Sequence, residues 1–331
     1  MEYLDEIITS IKNFNAFKGT IKIDEPMSSK TSFKVGGTAK LYIAPTNYYS
    51  FQIVLNVLNY YKAQFFILGG GTNIVFTDDC YDGAIVSTRD FADTLIMPLE
   101  DLPADFGKIE LNKDQVLVTC FSGTSIASLV HFCTENAISG LEQFAGLPGT
   151  VGGAVYMNAR CFDKSISDVL FSTSYMDYNP QKVTLEKCLF DKSQWDYKKS
   201  PFQNNKYFIT TATFLLTQKS EEEKESISAE CKKYILEREA KGHFKYPSAG
   251  SVFKNNRDFG APSGKIIDDA GLKGYSIGGA QIAPFHGNII INSNKAKAAD
   301  IKQLVIYTQQ IVKEKSGFLL EPEIIFVDNH M

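Results

Sequence analysis

Two glycine-rich segments carry the residues best suited to hold a charged ligand. The first, Leu68-Gly69-Gly70-Gly71-Thr72-Asn73, sits between the apolar runs 64–68 and 74–76. Without a Cβ, backbone can approach a ligand closely and turn consecutive N–H groups toward it, a nest that suits a pyrophosphate. A bare glycine triplet also serves as an ordinary tight loop between strands. No Gly-Lys-Ser/Thr follows, so this is not a Walker A loop. A strand-like run follows where a dinucleotide fingerprint would open a helix, which disfavours a nicotinamide-type Rossmann fold. The second segment is Gly146-Leu147-Pro148-Gly149-Thr150-Val151-Gly152-Gly153-Ala154. Two such loops, each beside strands, could clamp a large cofactor from two sides.

Other residue types extend the possible chemistry. Ser251 follows Gly250, a pattern that alone reads as a turn. Glu321 and Glu323 are two apart in an apolar terminal run, so on a strand they face one side. Tyr197-Lys198-Lys199-Ser200 supplies cations ahead of the strand-prone run 208–216. Arg160 could reach a phosphate or lie on the surface. Neither the 4 histidines, His243 and His286 among them, nor the 6 cysteines fall at metal-ligand spacing. The expectation is reduced thiols and no metal.

These groups need elements to position them. Apolar residues recur every three and four positions in 50–62, 125–136 and 298–313, which predicts helices. Residues 1–12 predict an amphipathic helix with Leu4, Ile7, Ile8 and Ile11 on one face, and 264–270 a further helix. Strands are predicted at 41–43, 64–68, 74–76, 84–86, 116–119, 208–216, 289–291 and 319–327. From 220 to about 240 the chain reads as a charged helix that opens a new domain. A length of 331 residues predicts two or three domains. With 44% hydrophobic and 22% charged residues the chain is globular, not disordered. A net charge of -4 offers no general attraction for nucleic acid or anionic lipid. No apolar run approaches membrane-spanning length, and the start lacks a basic, then apolar, leader. The expected location is the cytoplasm, without nucleic-acid or membrane partners.

Taken together, residues 69–73 and the run from Gly146 through Val155-Tyr156-Met157-Asn158 resemble the FAD-binding domain of vanillyl-alcohol-oxidase-type flavoproteins. Within that superfamily the chain resembles the UDP-N-acetylenolpyruvoylglucosamine reductases. The carrying motifs are Thr31-Ser32-Phe33-Lys34-Val35-Gly36-Gly37, Pro247-Ser248-Ala249-Gly250-Ser251-Val252-Phe253-Lys254-Asn255, the run from Ser263 to Gly274, His286-Gly287-Asn288 with Asn292, and Leu320-Glu321-Pro322-Glu323-Ile324. They run in order from about residue 29 to 327, nearly the whole chain.

The resemblance implies an α+β fold with a two-part FAD-binding region and a smaller α+β substrate domain. The expected boundaries are 1–88 with 319–331, 89–218, and 219–318. It implies noncovalent FAD, with NADPH as co-substrate. The implied reaction is reduction of UDP-N-acetylglucosamine enolpyruvate to UDP-N-acetylmuramate for peptidoglycan, with hydride from reduced flavin to C3 and a proton from Ser251 to C2. Glu323 matches the family's catalytic carboxylate, in the register set by Leu320. Lys198 falls where the family carries an arginine, and a lysine lacks the planar fork that grips a carboxylate in two places. Expected cofactor contacts are Gly69, Gly70, Gly71, Thr72, Asn73, Pro148, Gly149, Thr150, Gly152, Gly153 and Ala154. Expected substrate contacts are Tyr197, Lys241 and Asn255. The chain resembles the compact branch, without the extra tyrosine-bearing loop, and is expected to act as a monomer. Competing readings are a flavin-dependent alcohol or sugar oxidase, which would share both glycine loops, and a non-catalytic flavin or nucleotide-sugar binding protein.

Overall fold

The computed structural model describes residues 1–103, 106–107, 109–179, 183–203 and 206–329. The α-helices are α1 (Leu4–Asn13), α2 (Tyr48–Tyr60), α3 (Ile126–Glu135), α4 (Val151–Tyr156), α5 (Lys224–Ala240), α6 (Ser263–Asp269) and α7 (Ala298–Ser316). The chain divides into two compact units. The first holds residues 1–21, 43–70 and 85–236; the second holds 22–42, 71–84 and 237–331. The strands Gly19–Pro26, Thr38–Pro45 and Tyr81–Ser87 each run from one unit into the other.

The first unit is built on a sheet with the order Thr184–Leu189, Leu170–Asp177, Tyr207–Gln218, Gln115–Phe121, Thr94–Ile96. All its pairings are antiparallel. Tyr207–Gln218 is central and mostly buried on both faces, which is why it reads as a continuous apolar and β-branched run. Val118, Phe214 and Leu216 from the sheet pack with Ile126 and Leu129 of α3 and Val151 and Val155 of α4. Helices α2 and α3 start on side-chain caps. Asn47 accepts the Ser50 N–H at 2.9 Å for α2, and Ser125 accepts the Ser128 N–H at 2.9 Å for α3.

In the second unit Ser248–Ser251, Ile289–Asn292, Ala280–Ile282 and Ser276–Ile277 form an antiparallel sheet in that order. Ile325–Val327 pairs parallel with Ile74–Phe76. Ile267 of α6 and Ile301, Leu304 and Val312 of α7 close over Val252, Phe253, Ala280 and Ile290. The first turn of α7 gives the Ala298 and Ala299 N–H groups to the Asp78 carboxylate, at 2.8 and 3.0 Å. That arrangement suits the partial positive end of a helix.

The C-terminal strand is shorter than the apolar pattern of 319–327 predicts. It begins only at Ile325, and Pro322 makes an isolated bridge to Phe253. Proline has no N–H to give a ladder, so the run cannot pair continuously. A second difference is α4, a helix inside the glycine segment. Among the described residues, no helix is long and apolar enough to cross a membrane.

Candidate active site

The first unit brings the two glycine segments against each other. A Cβ on Gly69 would lie 2.6 Å from Thr150 Oγ1, and one on Gly70 would lie 2.7 Å from Gly149 Cα. At Gly70 only glycine permits this approach of backbone to backbone. Arg89 fixes the loop from the carbonyl side, its Nη2 donating to Gly70 O at 2.7 Å. Among the described residues the N–H groups of Gly69, Gly70, Gly71 and Thr72 have no hydrogen-bond partner. Unpaired backbone donors on a glycine loop are the groups that an anion nest uses, so the loop could hold the pyrophosphate of a dinucleotide cofactor.

The second segment acts differently. Val151 N–H donates to Thr124 O at 2.8 Å and Gly152 N–H to Ser122 O at 2.9 Å. Gly153 N–H reaches Thr150 Oγ1 at 3.4 Å. The first donors of α4 are therefore occupied within the protein. The glycines here allow contact: a Cβ on Gly152 would sit 2.7 Å from Ser122 Cβ. Ser122 Oγ is buried beside it and has no partner among the described residues, so this wall too retains polar capacity for a ligand.

At its other end α4 carries the cationic turn. Asp196 and Lys199 pair across it, with Lys199 N–H to Asp196 O at 3.0 Å. Lys198 adopts a left-handed backbone with φ 58°. The turn is pinned to the helix end: Asn158 Nδ2 donates to Asp196 O at 2.8 Å and Ser200 Oγ to Tyr156 O at 2.7 Å. Gln203 Nε2 reaches both Tyr156 O at 2.9 Å and Lys198 O at 3.1 Å. Six residues of helix span about 9 Å, so one short rod sets the spacing between the glycine segment and Lys198. Tyr197 is exposed at the tip of the turn. Arg160 is engaged locally, with Asp163 at 3.2 Å and Ser165 at 3.3 Å.

In the second unit Ser251 ends its strand after Gly250, whose φ is 71°. The Ser251 hydroxyl has no hydrogen-bond partner among the described residues. Glu323 is tied to the same segment: its N–H donates to Val252 O at 2.7 Å, and Lys254 N–H donates to Glu321 O at 2.9 Å. The two glutamates have separate surroundings. Glu323 is only 9% exposed, while the Glu321 side chain is 69% exposed and pairs with Lys254 Nζ at 2.6 Å. Buried Asn288 holds Phe253 from both sides, accepting its N–H and donating to its carbonyl, each at 2.8 Å.

Asn255 accepts the Ser263 N–H at 2.9 Å and so anchors the start of α6. Lys241 is exposed and pairs with Glu237 at 2.7 Å. His243 and His286 lie with ring centres 6.1 Å apart. Burial, then the nearby Arg238 charge, pushes His243 down to about 4. Burial also lowers His286. Both rings are therefore neutral at neutral pH.

Sequence reasoning did not single out Arg89 or Ser122. Each is an isolated polar residue whose partners come from elsewhere in the chain. Asn288 was visible only as part of the His286-Gly287-Asn288 motif.

Residues 39–179 match the FAD binding domain family. Residues 242–327 match the C-terminal domain family of UDP-N-acetylenolpyruvoylglucosamine reductase. The chain is 41% identical to the UDP-N-acetylenolpyruvoylglucosamine reductase of Treponema denticola, covering 98% of each. It is 36% identical to that of Borreliella burgdorferi, covering 96% of this chain and 98% of the relative. The crystal structure of the Thermus caldophilus reductase superposes with a TM-score of 0.68 at 26% identity, covering 94% of this chain and 99% of that one. On these grounds the chain belongs to the UDP-N-acetylenolpyruvoylglucosamine reductase family.

Proposed function

We propose how this chain's residues divide the work of the family reaction. The chain is an FAD-dependent oxidoreductase that makes UDP-N-acetylmuramate for peptidoglycan. Bound there, the flavin would supply the redox chemistry, passing two electrons from NADPH to the enolpyruvyl group. The chain's own task is to hold that group, stabilise the charge that develops on it, and deliver a proton to C2.

Gly69, Gly70, Gly71, Thr72 and Asn73 hold the cofactor's pyrophosphate through backbone N–H groups. Pro148, Gly149, Thr150, Gly152, Gly153 and Ala154 form a wall of backbone close to it. The cofactor is held without a covalent bond. Lys198 opposes the enolpyruvyl carboxylate as a point charge, with less orienting power than an arginine fork. Its position on a pinned turn offsets part of that loss. Tyr197, Lys241 and Asn255 contact the nucleotide sugar.

Ser251 donates the proton to C2, and Glu323 stabilises and resupplies it. The observation that carries this assignment is the 2.7 Å bond from Glu323 N–H to Val252 O, which ties the buried carboxylate to the residue beside Ser251. A serine hydroxyl is a weak acid in water, so it needs a partner whose placement is fixed. Glu321 faces solvent while Glu323 is buried, which favours Glu323 for the role.

We further propose that the chain works as segments 1–88 with 319–331, 89–218 and 219–318, and acts as a cytoplasmic monomer. The test is to purify the protein, record its flavin spectrum before and after denaturation, and follow NADPH consumption with and without UDP-N-acetylglucosamine enolpyruvate. The expected result is releasable flavin and NADPH consumption that requires the substrate. NADPH consumption unaffected by substrate would overturn the reading.

A further inference from the structure

We infer that Ser32 and Asn73 are positioning residues for the protonation step, joining the end of the glycine loop to the segments that carry Ser251 and Glu323. This rests on the assignment of Ser251 and Glu323 as proton-transfer residues. Ser32 holds two segments at once. Its N–H donates to Gly71 O at 3.0 Å, and its hydroxyl donates to Ser248 O at 2.6 Å, across 216 residues of sequence. Ser248 begins the short strand that ends at Ser251, and the pairing of that strand shifts register between them. An irregular strand sets its own end poorly, so an external anchor at its start has more influence on where Ser251 sits.

Gly71 is seated against the same segment: a Cβ there would lie 2.2 Å from Lys30 O, and its φ is 65°. Two residues on, Asn73 Nδ2 donates to Glu323 O at 2.9 Å, while Asn73 O accepts the Ile325 N–H at 3.0 Å. Asn73 therefore holds the backbone on both sides of Ile324, next to Glu323. The loop end thus braces the Ser251 strand through Ser32 and the Glu323 backbone through its own side chain. Reactions that depend on a near-attack geometry lose about a hundredfold for a displacement of about 1 Å, so a brace of this kind has a measurable effect.

Ser32→Ala removes the hydroxyl, with its 2.6 Å bond to Ser248 O and its 3.5 Å contact to Gly71 O, and keeps the backbone bond that seats Gly71. The experiment is anaerobic rapid mixing of the FAD-loaded enzyme. NADPH reduction of the flavin and its reoxidation by UDP-N-acetylglucosamine enolpyruvate are followed separately. In Ser32→Ala, flavin reduction stays within about twofold of the parent, while reoxidation falls about tenfold. The solvent deuterium isotope effect on reoxidation rises, because proton delivery becomes slower, and a general loss of structure would not raise it. Ser32→Thr, which keeps the hydroxyl, restores reoxidation. If Ser32→Ala does not fold, Ser32→Cys, with a weak donor of similar size, is read the same way.

Reoxidation at the parental rate, or an equal fall in both half-reactions, would overturn the inference. Ser251→Ala in the same assay separates the two levels. Parental reoxidation there removes the proton-donor assignment itself. Slow reoxidation there with a parental Ser32→Ala removes only the brace.

Discussion

Gly70→Ala tests the contact between the two glycine segments most severely. The added Cβ would lie 2.7 Å from Gly149 Cα, 3.2 Å from Gly149 C and 3.3 Å from Thr150 N. All three are backbone atoms, so no side-chain rotation relieves the clash. Gly70 does not have a positive φ, so the cost is purely one of space. Ordinary contact requires the segments to part by roughly 1 Å, and forced overpacking of this kind costs about 1–3 kcal/mol. Where the segments stay together, that cost appears as lower folding stability. Where they part, it appears as weaker FAD binding, by a factor between about 5 and 150. The two losses together account for the whole cost. Denaturant unfolding of the apoprotein and FAD titration by flavin fluorescence measure them separately. Parental values in both would refute the reasoning that these backbones must touch.

Lys198→Arg restores a planar fork on the pinned turn, so turnover in steady-state NADPH assays is maintained or raised; a large fall would show that the lysine acts in its own right. Asn288→Ala leaves the buried N–H and carbonyl of Phe253 unpaired and costs about 2–5 kcal/mol in denaturant unfolding. The protein loses stability as pH falls from about 6.5 toward about 4, because unfolded His243 binds a proton that the folded ring refuses. The stabilising contribution is complete above the unfolded value and is lost as pH falls through that window. Unfolding midpoints across the range check the slope, and His243→Gln flattens it.

Much of the scaffold was legible because it depends on short-range patterns. Helices at 50–62, 125–136 and 298–313 were readable from apolar spacing, and the structure places α2, α3 and α7 there within a few residues. The helix α4 was not readable. It has six residues and two glycines, a composition with poor helix propensity. It exists because Thr124 and Ser122 carbonyls and the Thr150 hydroxyl take its first donors. The C-terminal run reads as one long strand, since the apolar blocks on either side of Pro322 carry no sign of the missing donor's effect. Nothing local announces the left-handed turn at Lys198, because lysine has no preference for positive φ. The positioning residues are the least legible. Ser32 and Asn73 reach partners 216 and 250 residues away. The glycine segments and the Ser251 and Glu323 motifs could be named from the sequence, but the hydrogen bonds that hold them could not.

The most direct test of the account is rapid mixing of FAD-loaded Ser251→Ala, first with NADPH and then with UDP-N-acetylglucosamine enolpyruvate. NADPH is expected still to reduce the flavin, and the substrate then to fail to reoxidise it. Reoxidation at the parental rate, or failure of the first step, would contradict the role assigned to Ser251.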